Sequence, residues 1–235
     1  MTDVDDVKER FGRTADRVAA HSARQVEAVR DEISRLLVFH GDERVVDVGT
    51  GAGTLALAVA PLVREVVGVD AVPELLDAAR ASAPENVTFV EADATSLPFE
   101  SFSFDIGMTR RTLHHVARPE VLVAELTRVT KLGGRIVVED QIAPVDPLAA
   151  FELDRFERAR DRSHTRLLPD ADLRQLFEAN NLVLETQRER SERRPLDSYL
   201  ELAGCEGEER DRAAALSPGG QQEYVVESAW YVLRR

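Results

Sequence analysis

The stretch that most constrains the fold runs from Arg44 to Leu55, where an apolar run passes directly into three glycines at alternate positions. A β-branched run of this kind is typical of a strand that is buried on both faces. Glycines have no Cβ to obstruct a sharp turn, so a ligand can lie directly against the backbone. Residues 54–60 predict a helix whose N-terminal amides point back at that ligand.

The glycine spacing distinguishes two kinds of ligand. A dinucleotide-binding loop has the pattern Gly-x-Gly-x-x-Gly, which seats a pyrophosphate on the helix end. Here Gly49, Gly51 and Gly53 follow the pattern Gly-x-Gly-x-Gly, and Asp47 lies two residues before the first glycine. A carboxylate aimed into the loop would repel a pyrophosphate, but it suits a ligand that carries an ammonium or a sulfonium. A glycine-rich turn that binds nothing is the alternative.

The succession of strand and helix repeats after this loop. Residues 65–70 predict a second buried strand that ends in Asp70, and Pro73 opens a helix that runs to about Ala81. An acidic residue about 20 positions beyond the glycines, at the carboxyl end of the adjacent strand, is placed to accept hydrogen bonds from ribose hydroxyls. We therefore expect Asp70 to bind a vicinal diol, with a helix N-cap as the alternative role.

The loop and its preceding acidic residue resemble motif I of the class I S-adenosylmethionine (AdoMet)-dependent methyltransferases. After a third predicted strand at 87–90, residues 93–99 read Asp-Ala-Thr-Ser-Leu-Pro-Phe, which is similar to the family's Asp-Ala-x-x-Leu-Pro-Phe. The resemblance implies that Asp93 accepts a hydrogen bond from the adenine amino group, a sensible partner for a carboxylate. It also implies that Ala94 lends a backbone amide beside the ring. A generic turn is the alternative explanation for Asp93.

The segment after the fourth predicted strand carries a second resemblance. The pattern Phe-Asp-x-x-x-x-Arg-x-x-Leu-His-His recurs in the UbiE-like branch of the family, the methyltransferase type 11 group. The chain matches it fully between Phe104 and His115, whereas Gly107 departs from the usual bulky residue. Together the resemblances imply a cofactor site formed by ten residues. These are Asp47, Gly49, Thr50, Gly51, Gly53, Asp70, Ala71, Asp93, Ala94 and Arg110.

Two adjacent histidines, His114 and His115, follow the central strand at its carboxyl end, where open α/β sheets bind ligands. A histidine there can take a proton from a hydroxyl or an activated carbon. Because neighbouring side chains on a helical turn diverge by about 100°, we expect at most one of them to face a substrate. His115 is the preferred candidate for a general base, and hydrogen bonding that merely shapes the loop is the alternative. We expect no metal, because no third ligand stands at a telling spacing.

A lid is predicted ahead of the first strand. Residues 9–16 are expected to be mobile, with Phe11 as an apolar contact, and an amphipathic helix is predicted from Thr14 to about His40. Arg13 and His21 are candidates to face a substrate, although surface solvation is the preferred explanation for each.

A second covering segment follows the fifth strand. Residues 151–166 are expected to begin as a helix and to end as a polar loop. The resembled group carries a related Arg-Asp-x-Ser-His-x-Arg run here, which implies closure over the cofactor pocket. His164 is then a second candidate base and Arg166 an anion clamp. A solvated helix face is the alternative.

Strands that alternate with helices predict an α/β fold with a doubly wound, mostly parallel sheet and right-handed crossovers. The resemblance implies seven strands in a Rossmann-like sheet, with the antiparallel last strand at 228–233 beside strand five. One methyltransferase domain over residues 1–235 is expected. Its parts are a helical lid (1–40), an AdoMet-binding core (41–141), helices over the substrate (142–181), and C-terminal strands and helices (182–235).

Composition restricts the partners. The net charge of −13 disfavours nucleic acid, because phosphate backbones are bound by basic faces. No apolar run approaches the roughly 18 residues of a membrane span, and the first residues lack a signal-peptide pattern, so a cytoplasmic protein is expected. The single cysteine, Cys205, argues against a metal site built from clustered cysteines.

The resemblance implies a UbiE-like enzyme that transfers a methyl group from AdoMet to carbon or oxygen of a small-molecule acceptor, releasing S-adenosylhomocysteine. Two alternatives stay open. A nicotinamide-dependent oxidoreductase, using NAD or NADP, is disfavoured by the glycine spacing and by Asp47. A non-catalytic protein that binds AdoMet or S-adenosylhomocysteine would share the same sequence features.

Overall fold

The apolar runs of the chain become the strands of a seven-stranded sheet in a computed structural model that describes residues 4–218 and 222–235. The strands are β1 (Arg44–Val48), β2 (Glu65–Asp70), β3 (Val87–Glu91), β4 (Phe104–Arg110), β5 (Thr130–Gln141), β6 (Val183–Pro195) and β7 (Glu223–Arg234). Their order is β3-β2-β1-β4-β5-β7-β6. Strand β7 runs antiparallel to both of its neighbours, and the pairs among the first five strands are parallel. The predicted doubly wound sheet with a reversed last strand beside strand five is confirmed.

Helices cover both faces of the sheet. They are α1 (Val4–Arg13), α2 (Ala15–Leu36), α3 (Thr54–Val59), α4 (Pro73–Arg80), α5 (Pro119–Val129), α6 (Pro147–Arg160), α7 (Asp170–Ala179), α8 (Leu196–Ala203) and α9 (Gly207–Ala215). On one face, Ile33 of α2 and Leu55 of α3 are buried in the cluster that contains Val45. On the other face, helices α5 and α7 bury their apolar residues with Val46. Because successive strand residues point to opposite faces, β1 is enclosed on both sides.

The register of the parallel strands brings their carboxyl ends to one edge. Val48 pairs with Val69 of β2 on one side and with Thr109 of β4 on the other. The residues that follow these positions therefore emerge next to one another. This edge is the place where open α/β sheets bind ligands.

The N-terminal segment differs from the prediction. Of the residues 9–16 expected to form a mobile lid, those up to Arg13 lie in the regular helix α1 and those from Ala15 in α2, with a break at Thr14. Acidic residues occupy the first turn of α1 and basic residues its last turn, an arrangement that stabilises the helix dipole. Helix α2 ends at Leu36 instead of near His40, because the chain becomes extended at Leu37.

Strand β6 is longer than its sequence suggests. Only the start of the strand, at 182–184, is predicted from apolar residues, whereas β6 continues through a charged stretch to Pro195. Its side chains are mostly exposed because β6 is the edge strand of the sheet. Charged side chains on an edge strand discourage pairing with another chain, and they also hide the strand from a hydrophobic pattern.

Two further boundaries are shifted. Helix α5 ends at Val129, and β5 begins at Thr130, although Gly133 and Gly134 predict a helix stop and a later strand. Gly134 is required for close packing instead, because a Cβ there would lie 2.6 Å from the carbonyl oxygen of Asp105. The run Ser-Pro-Gly-Gly at 217–220 predicts a turn, but residues 219 and 220 lie outside the described residues.

Candidate active site

A cavity of about 550 Å³ lies at the carboxyl edge of the sheet and is lined by residues from β1, β2, β4 and the helices above them. Its volume lies within the range of small-molecule sites, roughly 300–1,000 Å³. Most of the predicted site residues border this cavity. They are Asp47, Gly49, Thr50, Gly51, Asp70, Ala71, Asp93, Ala94, Arg110 and His115. Gly53 and His164 are not part of the wall.

The glycine loop is fastened to the neighbouring strand. The backbone amides of Gly49 and Thr50 both donate to the carbonyl oxygen of Val69, at 2.8 and 2.9 Å. Gly49 and Gly51 have φ angles of +71° and +55°, a region that L side chains rarely adopt. A Cβ on Gly51 would meet nothing within 4 Å. The loop therefore leaves open space beside Gly51, whereas Gly49 is packed against Thr112.

Substitution of Gly49 by Ala is expected to lower the free energy of unfolding by about 2–3 kcal/mol, because overpacking adds to backbone strain. The new Cβ would lie 2.2 Å from Oγ1 of Thr112. Gly41→Ala is the matched control, since Gly41 also has a positive φ but a Cβ there would touch nothing. Urea titration of both variants measures the difference. Equal loss in the two variants would show that contact with Thr112 does not matter.

Asp47 is a buried carboxylate, and only one of its two oxygens has hydrogen-bond partners. Its Oδ2 accepts hydrogen bonds from Oγ1 of Thr50 at 2.7 Å and from the backbone amide of Ala56 at 3.1 Å. Its Oδ1 is buried and has no hydrogen-bond partner in the described part of the chain. Burial raises the pKa of Asp47 to about 6. The cavity wall thus holds a carboxylate oxygen that lacks a partner.

Asp70 is held by the loop that it faces. Its Oδ2 accepts from the backbone amide of Gly51 at 2.7 Å, and its Oδ1 accepts from that of Val72 at 3.0 Å. Burial raises its pKa. Each carboxylate oxygen can accept a second hydrogen bond, so Asp70 closes the turn and still presents two acceptors to the cavity. The N-cap of α4 is Val72, and no side chain caps this helix. Asp70 therefore does not take the alternative role of a helix N-cap, and its predicted role in binding a diol stays a prediction.

Asp93 forms the generic turn that was the alternative explanation. Its Oδ1 accepts from the backbone amide and from the hydroxyl of Thr95, at 2.8 and 2.7 Å. The other oxygen, Oδ2, makes no hydrogen bond within the described residues. Asp93 is therefore oriented by the turn while one acceptor remains available at the cavity wall.

Two arginines at the end of β4 share one carboxylate. Arg111 donates through Nε to both oxygens of Glu139, at 2.9 and 3.0 Å, and Nε of Arg110 lies 3.3 Å from Oε2. Burial lowers the pKa of Arg110, opposed by the attraction of Glu139. Two guanidinium groups facing one carboxylate leave positive charge at this part of the wall.

Both histidines border the cavity. They lie on a tight 3₁₀ turn, Leu113–His115, and their ring centroids are 4.2 Å apart. Nδ1 of His114 forms a short hydrogen bond with Oδ1 of Asp140. His114 thus has a carboxylate partner, a feature that the sequence does not reveal because Asp140 lies 26 residues away, at the end of β5.

The hydrogen bonds of His115 fix its tautomer. Nδ1 lies 3.3 Å from the carbonyl oxygen of Ser163 and 3.0 Å from its hydroxyl oxygen. The hydroxyl donates its only proton to Oδ1 of Asp161, at 2.6 Å. Both Ser163 oxygens must therefore accept from His115, so Nδ1 carries the proton and Nε2 keeps its lone pair. Burial, with repulsion from His114, lowers the pKa of His115 well below its ordinary value.

The polar loop after α6 supports the histidine turn from behind. The backbone amide of Thr165 donates to the carbonyl oxygen of His114 at 2.8 Å. His164 is buried outside the cavity wall, and its Nε2 lies 3.1 Å from Oδ1 of Asp154. Arg166 is exposed and also lies off this wall. The segment fits a supporting role, because the loop aims Ser163 instead of His164 at His115.

Helix α1 also contributes side chains to the cavity wall. Phe11 was predicted from the sequence as an apolar contact, whereas Arg10 was not predicted to take part. Nη2 of Arg10 forms a buried ion pair with Oδ2 of Asp161, at 2.7 Å. Phe11 packs edge-on against His115, with ring centroids 5.1 Å apart, so it makes the predicted apolar contact. His21 borders the cavity, whereas Arg13 is exposed and lies outside it.

Neither a metal cluster nor a membrane helix is found over residues 4–218 and 222–235. Histidine, cysteine, aspartate and glutamate side chains form no group of three or more that could hold a metal ion there. In the same ranges, no helix has the length and apolar character needed to cross a bilayer.

Known proteins resemble this chain in both sequence and structure. A family model described as a methyltransferase domain matches residues 46–138. The uncharacterized methyltransferase YcgJ of Bacillus subtilis (strain 168) is 36% identical over 167 residues, which make up 69% of this chain and 66% of YcgJ. The crystal structure of YcgJ matches with a TM-score of 0.83 at 28% identity, over 88% of this chain and 98% of that one.

Two further relatives extend the comparison. A demethylmenaquinone methyltransferase of Clavibacter sepedonicus is 36% identical over 128 residues, covering 54% of this chain and 52% of the relative. The uncharacterized protein YafE of Escherichia coli (strain K12) is 32% identical over 141 residues, covering 58% of this chain and 68% of YafE. The chain thus spans about half to two thirds of the length of these curated relatives.

The matched segment contains the glycine loop, Asp70, Asp93 and the histidine turn, which are the residues around the cavity. The sheet order with its reversed strand agrees with the match to the YcgJ structure over most of the chain. This chain therefore belongs to the class I AdoMet-dependent methyltransferases, in the UbiE-like, type 11 group.

Proposed function

We propose that the chain transfers the methyl group of AdoMet to carbon or oxygen of a small-molecule acceptor. The observation that carries this proposal is Oδ1 of Asp47, buried beside the glycine loop without a hydrogen-bond partner in the described structure. An unpaired buried carboxylate oxygen is costly, so it favours a ligand that brings a positive charge. A pyrophosphate would be repelled there, which counts against a dinucleotide cofactor.

Asp47 and Arg110 together suit an amino-acid group. The two side chains are close enough for the charge of each to affect the pKa of the other. The carboxylate of Asp47 would hold the ammonium of AdoMet, and the guanidinium of Arg110 would hold its carboxylate. This pairing agrees with the opposite charges at the two ends of a zwitterion.

The remaining wall residues suit a nucleoside. Asp70 presents two acceptor oxygens, which match the two hydroxyls of a ribose. Asp93 has a free oxygen for an exocyclic amine, and Ala94 follows it on the same wall. Thr50, Gly51 and Ala71 line the space between these groups, where little side-chain bulk intervenes.

When bound, AdoMet supplies a methyl group that its sulfonium already makes electrophilic. The chain has to align the acceptor, exclude water and remove a proton. His115 is the proposed general base, because its protonated Nδ1 leaves Nε2 free to accept a proton from a hydroxyl or an activated carbon. Phe11 packs on His115 from α1 and shields it from solvent.

Small molecules are the acceptors that the observations support. The relative from Clavibacter sepedonicus is named for the methylation of demethylmenaquinone, a small molecule. The net charge of −13 disfavours a nucleic-acid acceptor. A site within the cytoplasm remains our expectation from the sequence.

Substitution of Asp70 by Ala tests the cofactor site. We expect S-adenosylhomocysteine to bind roughly 5- to 150-fold more weakly, the equivalent of about 1–3 kcal/mol, because hydrogen bonds to a charged acceptor are lost. Isothermal titration calorimetry measures the affinity. Asp77→Ala is the matched control, since Asp77 is exposed on the neighbouring helix and pairs only with Arg80. Unchanged affinity in Asp70→Ala would remove Asp70 from the site.

A further inference from the structure

The charges on the cavity wall are segregated along the edge of the sheet. Three acidic residues lie towards the β3 end of the strand order: Asp47 of β1, Asp70 of β2 and Asp93 of the loop after β3. Arg110 is the last residue of β4, Arg111 follows it directly, and Arg194 belongs to β6, all towards the other end of that order. All six side chains border the same cavity. The cavity therefore has an acidic half and a basic half.

The arginines of the basic half use few of their hydrogen-bond donors. Arg110 and Arg111 approach Glu139 through Nε, and Arg194 donates only through Nη2 to Glu192, at 2.8 Å. A guanidinium has five N–H donors, so most of these donors are without a partner within the described structure. By contrast, Arg160 in the same wall pairs with Glu157 through two nitrogens, at 2.8 and 2.9 Å.

Repulsion acts on Arg110 and His21 in this half, whereas the carboxylates of Glu139 and Asp140 attract Arg111 and, despite its burial, raise its pKa. Burial lowers the pKa of Arg110, and the neighbouring charges of Arg111 and Arg194 add to this effect. Burial also lowers the pKa of His21, again with repulsion from Arg194, as well as from Arg24 and Arg110. Glu192 attracts His21 only weakly by comparison. An anion at this place would relieve the repulsion.

Apolar side chains line the same cavity as these donors. Val18 of α2 and Leu202 of α8 border the cavity, as does Tyr199, whose ring lies 5.7 Å from the guanidinium of Arg194. The hydroxyl of Tyr199 is occupied by the carboxylate of Glu157 at 3.0 Å, so it adds no free donor to the cavity. The cavity thus contains both unused charged donors and apolar surface.

We infer that the methyl acceptor is an organic acid, with an apolar body against Val18 and Leu202 and a carboxylate bound by Arg194. Arg110 and Arg111 both approach Glu139, and Arg194 contacts Glu192 through a single nitrogen. Arg110 is assigned above to the carboxylate of the cofactor, which leaves Arg194 and Arg111 to bind a second anion. Arg194 is a specificity-determining residue in this scheme. The inference rests on the proposed methyltransferase function.

The test compares acids with their neutral amides. Chain loaded with S-adenosylhomocysteine is titrated calorimetrically with benzoate, phenylacetate, 4-hydroxybenzoate, 2-naphthoate and octanoate, and with the amide of each acid. We expect at least one acid to bind 10-fold or more tightly than its amide. Arg194→Gln should weaken that acid about 10- to 100-fold, because charged hydrogen bonds are lost. The same variant should leave S-adenosylhomocysteine affinity unchanged.

Two variants serve as controls. Arg193→Gln removes the same charge from the adjacent residue of β6, which is exposed and paired with Glu223, so acid binding should persist. Arg194→Lys keeps the charge but loses the fork of donors, so the acid should bind with intermediate affinity. If Arg194→Gln does not fold, the inference is still tested by Arg194→Lys and by the comparison of acids with amides in the wild-type chain.

The outcomes separate this inference from the proposed function. Amides that bind as tightly as their acids, a panel without any binding acid, or equal loss in Arg193→Gln and Arg194→Gln would each overturn the inference. In those cases, binding of S-adenosylhomocysteine to the wild-type chain leaves the proposed function intact. Failure of the wild-type chain to bind S-adenosylhomocysteine would instead count against the proposed function itself.

Discussion

Replacement of His115 by Asn is expected to lower turnover about 10²- to 10⁴-fold, the usual contribution of a general base. Affinity for S-adenosylhomocysteine should change little, because His115 is assigned to the acceptor and not to the cofactor. The variant loses the only lone pair that the side chain directs away from Ser163. Turnover is measured by release of S-adenosylhomocysteine with any acceptor that the wild-type chain methylates.

The pH dependence gives an independent readout of the same residue. Burial, followed by repulsion from His114, holds the pKa of His115 well below its ordinary value. The histidine is therefore neutral at pH 7 and ready to accept a proton. The acid limb of the wild-type pH–rate profile should consequently lie below pH 6.5, the ordinary value for histidine. A limb at or above that pH would contradict the assignment.

Neighbouring residues provide the controls. His40→Asn changes an exposed histidine away from the cavity and should have no effect on turnover. Ser163→Ala removes one of two acceptors from Nδ1 of His115 but keeps the carbonyl, so its effect should be smaller than that of His115→Asn. If His114→Asn abolishes turnover and His115→Asn does not, the base is His114, oriented by Asp140. Equal turnover in His115→Asn and wild type would remove His115 from the chemistry.

Replacement of Asp47 by Asn is expected to change ligand binding and stability in opposite directions. The amide oxygen of Asn can still accept from Thr50 and Ala56, so the loop keeps its hydrogen bonds. Loss of the charge should weaken S-adenosylhomocysteine about 30- to 1,000-fold, or about 2–4 kcal/mol. The unliganded chain should become more stable at pH 7, because a buried and incompletely paired carboxylate is removed.

The size of the stability gain follows from linkage. Burial raises the pKa of Asp47 from 3.8 to about 6, so the folded chain binds its proton more tightly than the unfolded chain does. The stability that this proton confers is complete below about pH 4 and is lost as the pH rises through about 6. A shift of about two units corresponds to about 3 kcal/mol at neutral pH. Asp47→Asn should recover up to that amount at pH 7 and little at pH 4.

Chemical denaturation at pH 4 and pH 7, with calorimetry at pH 7, measures both effects. Asp105→Asn is the control, because Asp105 lies on β4 and pairs with Lys131 at the surface. That substitution should leave ligand affinity unaltered. Wild-type affinity should also fall as the pH drops below about 6, where Asp47 becomes protonated. A variant Asp47→Asn that binds as tightly as wild type would refute the role given to this carboxylate.

The cofactor half of the site was predictable because its parts are close in sequence. The glycine loop, Asp70 and Asp93 each follow a short apolar strand, and strand ends in a parallel sheet meet at one edge. Local turn geometry then orients each side chain, as the hydrogen bonds of Asp70 and Asp93 illustrate. The sequence alone therefore predicted that these residues lie at one edge of the sheet, and the structure places them on one cavity wall.

The residues around His115 and in the basic half of the cavity were much less predictable. Arg10 reaches the site through Asp161, which lies 151 positions away in the numbering. Arg194 belongs to an edge strand whose charged residues resemble a solvated segment. Their positions depend on how distant elements pack, and a local pattern carries no information on that. For the same reason the sequence motif did not reveal that Ser163, and not His164, faces His115.

The central claim is that the acid-flanked glycine loop binds the sulfur nucleoside of a methyltransferase. Calorimetric titration of the wild-type chain with S-adenosylhomocysteine at pH 7, and a parallel titration with NADH, tests it directly. We expect saturable binding of one S-adenosylhomocysteine per chain and no competition by NADH. Absence of S-adenosylhomocysteine binding, or its displacement by NADH, would contradict the assignment of this loop to a sulfur nucleoside.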